Sequence, residues 1–415
     1  MATRPTKSCC LFCKSDLNHV FVDLGMSPLC ESFLPEEDLN RMEPFYPLVV
    51  YVCSNCWLVQ LEKYVSPEEI FTEYAYFSSF SDSWVAHGLR YTEMIVDRLG
   101  LTVDSHVVEV ASNDGYLLQH FVKKGIPVLG IEPAANVAKA AEEKNVPSLV
   151  EFFGRECATK LVQEGKAADL IIGNNVLAQV HDINDFVAGM KILLKEDGVV
   201  TVEFPHLLRL MAENQFDTIY HEHFSYFSFL SATAIFKAHG MRLFDVDELP
   251  THGGSLRIYA CHEDNTSKPN TDRAKELLAR EEAEGFRDLA RYGAFQERVD
   301  DTKGALLEFL VQARREGKTV AGYGAPGKGN TLLNYCGIRT DLIEYTVDRN
   351  PYKHGRFTPG THIPIYPPER IAETKPDYLF ILPWNLKDEI IKQNEFIREW
   401  GGQFVIPIPE VHVVP

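Results

Sequence analysis

Short apolar runs alternate with amphipathic stretches through the middle of the chain. Four such runs lie at 105–110, 128–132, 168–173 and 198–203. Runs of this kind are typical of parallel strands that are buried on both faces of a sheet, with helices in the crossovers between them. Two further runs, 241–246 and 255–260, flank the sequence THGG and predict a terminal β-hairpin. We therefore predict a doubly wound α/β sheet that includes one antiparallel strand.

A second region of alternating strands and helices follows a charged, helical stretch at 272–315. Its predicted strands lie at 319–321, 343–347, 378–382 and 403–406. A glycine-rich loop follows the first strand, and a helix is predicted from Thr331. This order indicates a smaller Rossmann-like unit. The chain accordingly divides into three predicted domains, at 1–70, 71–265 and 266–415.

Length and charge narrow the class of protein. The chain has 415 residues, too many for one hydrophobic core, and a formal net charge of −18. The acidic balance argues against a nucleic-acid binder, because such proteins neutralise phosphates with Lys and Arg. No apolar run is as long as a membrane span, and the first residues lack the apolar core of a secretory signal. We expect a cytoplasmic protein that binds neither nucleic acid nor membrane, as a monomer or a weak homo-oligomer.

Six of the nine cysteines lie before residue 57, and four of them form two CxxC pairs. The pairs are Cys10 with Cys13 and Cys53 with Cys56. In a reducing compartment, clustered thiols are metal ligands more often than disulfides. Two such pairs can hold one tetrahedral zinc ion, and four thiolates leave no open position for catalysis. We therefore predict a structural zinc site, with Cys9 and Cys30 outside it.

The turn after the run 105–110 carries acids where a phosphate-binding loop carries bare glycines. In VEVASNDG at 108–115, Asp114 lies in the turn and Glu109 at its entrance. These carboxylates would repel a pyrophosphate, which dinucleotide loops attract through backbone N–H groups. S-adenosylmethionine (SAM) carries a sulfonium and an ammonium, and Glu132 follows at the spacing of a ribose ligand. We predict SAM binding here. The alternative is an ordinary βα turn with chance acids.

A second loop, GYGAPGKGN at 322–330, favours a ligand of the opposite charge. It contains GxGxxG, and Asp348 follows at about the distance of a ribose ligand. Lys328 lies at the predicted helix N-terminus, where the helix dipole and the ammonium both favour phosphate. A nucleotide sugar, NAD(P) and a purely structural glycine turn all stay open. We favour the nucleotide sugar, which would meet SAM in the crevice between the two α/β units.

Titratable and aromatic residues concentrate in YHEHFSYF at 220–227, beyond the strand that ends at Glu203. Ligands of open α/β sheets lie beyond the carboxyl ends of the strands, and histidine is suited to remove a proton near neutral pH. A base here could deprotonate the carbon beside a ketone, and methyl transfer to that carbon needs no metal. The alternatives are that His221 and His223 bind a metal or pack in a core. Another run, YAYFSS at 74–79, could supply a phenol to the site or an aromatic packing face.

The combined motifs resemble those of the three-domain sugar C-methyltransferases. The resemblance covers essentially the whole chain and rests on the cysteine pairs, SNDG, YHEHFSYFS, HGGSLR, and GKGNTLLNYCGI followed by DRNPYKHG. It implies a class I methyltransferase sheet, a small N-terminal zinc-binding domain, and a C-terminal Rossmann-like domain that contributes to nucleotide-sugar binding. The implied reaction is SAM-dependent methylation of a TDP-linked 4-keto-deoxysugar at the carbon next to the ketone.

The resemblance also implies roles for individual residues. His223 is the implied base, Tyr220 and Glu222 are its neighbours, and Tyr76 lines the site. With the loop chemistry, it predicts a SAM pocket of Glu109, Asn113, Asp114, Gly115, Glu132 and Asn175. The predicted substrate contacts are Gln179, Tyr323, Lys328 and Asn330.

One position departs from the family pattern. Gln179, in NVLAQVHD at 175–182, stands where the family commonly has histidine, and that role is not transferred to His181 nearby. The departure leaves the orientation of the substrate open but not the chemistry. Two rival functions also stay open: an NAD-dependent oxidoreductase acting on a nucleotide sugar, and a non-catalytic sugar-nucleotide sensor.

Overall fold

The computed structural model describes residues 8–65 and 77–415. The strands are β1 His19–Ser27, β2 Tyr46–Val52, β3 Val59–Leu61, β4 Val107–Val110, β5 Val128–Ile131, β6 Ser148–Leu149, β7 Ala168–Asn174, β8 Leu194–Pro205, β9 Ser225–Tyr226, β10 Met241–Leu249, β11 Ser255–His262, β12 Val320–Tyr323, β13 Thr346–Val347, β14 Ile365–Tyr366, β15 Tyr378–Ile381, β16 Gln403–Ile406 and β17 His412–Val414. The helices are α1 Asp82–Leu99, α2 Leu118–Lys123, α3 Ala135–Glu142, α4 Arg155–Gln163, α5 Ile183–Leu193, α6 Leu207–Ala212, α7 Phe229–Ala238, α8 Asp272–Ala283, α9 Leu289–Gly293, α10 Phe295–Arg315, α11 Gly327–Cys336, α12 Arg370–Thr374 and α13 Lys387–Gln393.

The chain forms two compact units, and each is assembled from three stretches of sequence. The first unit contains the described residues within Met1–Leu17, Cys53–His206 and Phe224–Arg287. The second unit contains Asn18–Val52, Leu207–His223 and Asp288–Pro415. Among the helices described in either unit, none is both long and apolar enough to cross a bilayer.

The first unit is built on a seven-stranded sheet in the order β10-β11-β8-β7-β4-β5-β6. The strands from β8 to β6 are parallel, whereas β11 is antiparallel to both β8 and β10. The predicted doubly wound sheet with a single antiparallel strand is therefore confirmed. The short strands β3 and β9 of this unit pair antiparallel with each other.

Successive residues of the central strands enter hydrophobic cores on opposite faces of this sheet. Val108 and Ile171 belong to one buried cluster, and their neighbours Val107 and Leu170 belong to another. Because side chains alternate across a strand, a strand that is covered by helices on both faces must be apolar at every position. This requirement explains the continuous apolar runs of the sequence.

The second unit contains a six-stranded sheet in the order β14-β13-β12-β15-β16-β17. Its strands are parallel except β17, which pairs antiparallel with β16. The predicted Rossmann-like unit is present, with differences in detail. Strands β14 and β17 were not predicted, and β13 covers only the end of the predicted run 343–347. Helix α11 begins at Gly327 rather than at Thr331. A Cβ at Gly329 would lie 3.0 Å from the Leu382 Cβ, so this glycine lets the first turn of the helix approach the chain closely. Strands β1 and β2 pair antiparallel in the same unit.

Candidate functional sites in the two units

The two CxxC pairs lie in turns of the same geometry. In each turn, the residue four positions after the first cysteine donates its N–H to the carbonyl of that cysteine: Lys14 to Cys10 (3.1 Å) and Trp57 to Cys53 (2.9 Å). Both of these residues have a φ of 63°, in the left-handed region. The turns curl back on themselves, so both thiols of a pair can point to one place.

The four thiols of these turns form a compact cluster in the first unit. The Cys10 and Cys56 sulfurs lie 3.5 Å apart, as do those of Cys13 and Cys53, and all four lie within 4.8 Å of one another. Tetrahedral zinc with bonds of roughly 2.3 Å needs sulfurs about 3.8 Å apart, so the cluster fits this metal. Hydrogen bonding to Cys56 and Gln60 lowers the pKa of the Cys10 thiol to about 5, against the effect of burial. A thiolate is the form that binds zinc.

Among the described residues, this cluster is the one group of three or more His, Cys, Asp and Glu side chains able to hold a metal ion. The interpretation of His221 and His223 as a metal pair therefore has no structural support. His221 instead packs against its neighbours. Its ring lies edge-on to Tyr46 with the ring centroids 5.8 Å apart, and its Nε2 lies 3.2 Å from the Pro47 carbonyl oxygen. Burial lowers the pKa of this histidine.

The predicted SAM loop turns sharply at the carboxyl end of β4. Ala111, Asn113 and Gly115 all have positive φ values. A Cβ at Gly115 would also come within 3.0 Å of Val146, so glycine is required there on both grounds. Glu132, at the end of β5, accepts the N–H of Asn113 at 3.0 Å and thereby fixes the turn. Glu132 thus holds the loop in shape, whatever else it binds.

Several buried polar atoms around this loop have no hydrogen-bond partner among the described residues. They include Glu109 Oε2, Asp114 Oδ1 and both amide atoms of Asn174, which ends β7. Burial, together with the charges of Asp114 and Glu132, raises the pKa of Glu109 well above its usual range. Unpaired acceptors and an excess of carboxylates suit a cationic ligand with hydroxyl and ammonium donors. SAM is such a ligand, and the residues present fit it.

The remaining cofactor residue predicted from sequence, Asn175, follows directly after β7. It has a φ of 55°, and its N–H donates to the Glu203 carbonyl at 2.8 Å. Its neighbour Asn174 was not singled out in the sequence, although a paired Asn-Asn at a strand end was a visible signal. Gln179 lies in a short 3-10 helix just beyond, at Leu177–Gln179, and is partly exposed.

The YHEH motif lies in the second unit and forms a tight turn. The His223 N–H donates to the Tyr220 carbonyl at 3.0 Å, and the two rings lie with their centroids 4.3 Å apart and their planes tilted by 38°. Both side chains are partly exposed. The turn therefore presents an imidazole and a phenol side by side. The tyrosine predicted to join them, Tyr76, lies outside the described residues.

Glu222, which precedes His223 in the sequence, is buried, with 8% of its surface exposed. Its Oε1 accepts a contact from the Cys30 thiol at 3.6 Å. Burial, followed by the charge of Glu31, raises the pKa of Glu222 to about 7. A carboxyl group with this pKa can gain or lose a proton near neutral pH, which is the property that acid–base chemistry needs.

Lys328 and Asn330 lie in the first turn of α11, in the same unit. The Lys328 ammonium donates to Asn385 Oδ1 at 2.8 Å and lies 4.7 Å from the centre of the Trp384 ring. Burial lowers the pKa of Lys328, and the carboxylate of Asp217 opposes that shift. Asn330 donates to the Cys30 carbonyl at 2.6 Å, while its buried Oδ1 has no partner among the described residues.

The GxGxxG loop, by contrast, is closed by its own side chains. Asp348 accepts the N–H of Ala325 and the N–H of Asn350, each at 2.8 Å. Lys353 donates to the Ala325 carbonyl at 2.8 Å. Asp348 was considered a ribose ligand, but its carboxylate ties two loops together instead. Tyr323, at the end of β12, is buried, and its hydroxyl lies 3.5 Å from Gln393 Oε1.

Three family profiles match the chain: a zinc binding domain at residues 10–71, a methyltransferase domain at 85–246, and a C-methyltransferase C-terminal domain at 250–409. Solved structures similar to part of the chain include the SAM-bound magnesium protoporphyrin IX methyltransferase of Synechocystis PCC 6803, at 14% identity, 44% coverage of this chain, 82% coverage of that chain and a TM-score of 0.32. The CcbJ methyltransferase of Streptomyces caelestis matches at 10% identity, 42% and 89% coverage and a TM-score of 0.33.

The C-methyltransferase NovU of Streptomyces niveus is 37% identical over 407 residues, which cover 98% of this chain and 96% of that protein. The chain therefore belongs to the three-domain family of SAM-dependent C-methyltransferases.

Proposed function

We propose that this C-methyltransferase acts on a nucleotide-diphosphate sugar, a TDP-linked 4-keto-deoxysugar, and methylates the carbon next to the ketone. Membership of the family supports carbon as the methyl acceptor. A carbon beside a ketone is acidic enough to be deprotonated by a side chain when the enolate oxygen is stabilised. The proposal therefore requires a base with a pKa near neutrality, placed with polar neighbours.

The observation that carries the proposal is the YHEH turn. It combines a partly exposed imidazole, a phenol ring in contact with it, and the adjacent Glu222 carboxyl with a pKa of about 7. Buried acids with such values are concentrated at sites of proton transfer. A packing role alone would not require an acid at this position.

In the proposed reaction, His223 removes the proton from the carbon beside the ketone, and the electron pair of that C–H bond forms the enolate. SAM supplies an electrophilic methyl group. As the enolate carbon forms its new C–C bond, the C–S bond breaks and S-adenosylhomocysteine is released. Tyr220 and Glu222 orient His223 and tune its basicity, Tyr76 lines the site, and the captured proton passes to solvent.

We assign SAM to the pocket of Glu109, Asn113, Asp114, Gly115, Glu132 and Asn175, with Glu132 on the ribose hydroxyls. The unpaired acceptors of this loop support the assignment. We assign the diphosphate to Lys328 and Asn330, because a cation lies there at the N-terminal end of a helix, where the helix dipole also favours an anion. Tyr323 and Gln179 complete the proposed substrate contacts.

The rival function, an NAD-dependent oxidoreductase, is less well supported. A dinucleotide would need Asp348 and the Ala325 N–H, and these two groups bind each other.

A panel of nucleotide-linked ketosugars incubated with methyl-labelled SAM tests the proposal. We expect the label on one ring carbon of a TDP-linked 4-ketosugar, located by mass spectrometry and NMR. Label on oxygen or nitrogen, or turnover of NADH without methyl transfer, would contradict the proposal.

The pH dependence of kcat should report the ionisation of Glu222. Its carboxylate form predominates above a pKa of about 7, and the anion stabilises a protonated His223. We therefore expect kcat to rise as the pH increases through this value, and Glu222→Gln to be slower and to lack that limb. Glu31→Gln is the matched control: removing a charge that raises the Glu222 pKa should move the limb to lower pH. If the rise of kcat with pH persists in Glu222→Gln, the ionisation belongs to another group.

SAM binding should also release a proton. The pKa of Glu109 is raised by burial and by neighbouring acids in the free protein, so a cation placed beside it will favour its ionised form. Affinity for SAM should consequently rise with pH. Calorimetric titration in buffers of different ionisation enthalpy measures the proton count. Glu109→Gln should abolish the release, and Glu164→Gln, an exposed position, should leave it intact.

A further inference from the structure

Lys144 makes three hydrogen bonds with a single ammonium group. It lies between α3 and β6, and its Nζ donates to Asp114 Oδ2 at 2.9 Å, to the Asp114 carbonyl at 2.5 Å and to Ser79 Oγ at 2.8 Å. An ammonium has three donor hydrogens, so each has a partner. The next residue, Asn145, has a left-handed φ of 61°, and the Lys144 N–H itself donates to Ala141. The lysine is therefore fixed from both its backbone and its side chain.

The two oxygens of the Asp114 carboxylate differ in their hydrogen-bond partners. Oδ2 accepts Lys144 and, at 3.3 Å, the N–H of Ser79. Oδ1 is buried and has no partner among the described residues, and Asp114 as a whole is 2% exposed. A buried carboxylate oxygen is costly without a donor. The arrangement thus leaves one oxygen of Asp114 for a ligand and secures the other.

We propose that Lys144 is a positioning residue for SAM binding. It orients Asp114 so that Oδ1 faces the cofactor, and its positive charge limits the preference of the pocket for SAM over S-adenosylhomocysteine. The proposal rests on the assignment of Asp114 to the SAM pocket. SAM and its product share the nucleoside and amino-acid groups and differ by one methyl group and one positive charge. The acids of the pocket favour the more positive ligand. The ammonium of Lys144, inside the same cluster, opposes them.

Two effects of removing this lysine can therefore be separated. Loss of positioning should weaken the binding of both ligands, because both carry the amino-acid group. Loss of the positive charge should strengthen the binding of the cationic ligand, SAM, and leave that of S-adenosylhomocysteine unchanged. A purely structural lysine would change the two affinities by the same factor. The ratio of the two dissociation constants is thus the informative quantity.

The experiment measures SAM and S-adenosylhomocysteine binding by calorimetry for the full-length protein and its variants. In Lys144→Met and Lys144→Gln we expect S-adenosylhomocysteine to bind about tenfold more weakly and SAM to bind only about threefold more weakly. The ratio of the dissociation constant of S-adenosylhomocysteine to that of SAM should then rise about threefold. Lys144→Arg keeps the charge and should keep the wild-type ratio, even if both affinities fall. Lys166→Met removes an exposed lysine that pairs with Glu164 and should change neither affinity.

An unchanged ratio in both charge-removing variants would overturn the role of Lys144, even if methyl transfer by the wild type is normal. Asp114→Asn separates this result from failure of the site assignment. If Asp114→Asn binds SAM as tightly as the wild type does, the pocket assignment is wrong and the proposal falls with it. If the wild type binds no SAM at all, the proposed function itself fails.

Discussion

Replacing His223 with alanine should lower kcat by about 10²–10⁴-fold, the usual contribution of a general base. The affinity for SAM should change little, because in the proposed reaction His223 acts on the sugar. Steady-state kinetics with labelled SAM and calorimetric binding of SAM measure the two quantities. If the wild-type enzyme exchanges the acidic proton of its substrate with deuterated solvent, the variant should exchange it more slowly.

His412→Ala is a suitable control, since this histidine is exposed on β17 and should leave kcat unchanged. A turnover of His223→Ala close to that of the wild type would place the base elsewhere. Tyr220, whose ring contacts that of His223, would be the first candidate, and Tyr76 the second. Combining Glu222→Gln with His223→Ala would then show whether the acid serves the new base.

Cys10→Ser should release zinc and unfold the N-terminal domain. The apparent free energy of binding of structural zinc is on the order of 10–16 kcal/mol in small domains, and it is coupled to folding. Losing one of four thiolates should therefore cause a large fall in the melting temperature and in metal content. Elemental analysis and thermal unfolding measure both effects.

The neighbouring cysteine provides the matched control. Cys9 is exposed and lies outside the cluster, so Cys9→Ser should retain one zinc ion per chain and the wild-type melting temperature. Wild-type protein purified under reducing conditions without any bound metal would refute the zinc site.

Features with local patterns were predictable from the sequence. The strands of the first unit were, because strands covered on both faces must be apolar throughout, as Val107 and Val108 show. The cysteine cluster was also predictable, because each CxxC spacing specifies a turn. The start of α11 was not, because Gly327 and Gly329 are weak helix formers. Their value lies in close packing, which depends on residues distant in sequence.

The side chains that complete the sites could not be found in this way. Lys144 and Asp114 are 30 positions apart, and nothing near either residue marks the pairing. Asp348 has the spacing of a ribose ligand, yet only the structure reveals that Ala325 and Asn350 occupy its oxygens. The role of Tyr76 stays a prediction from family resemblance.

The order of the stretches along the chain limits how this enzyme can be re-engineered. Cys30 belongs to the stretch Asn18–Val52, Glu222 to Leu207–His223 and Asn330 to Asp288–Pro415. Glu222 and Asn330 both contact Cys30. A chimera that exchanges only the C-terminal part with a relative would therefore join side chains that were not selected together. Transfer of substrate preference will require all three stretches to be transplanted as a set.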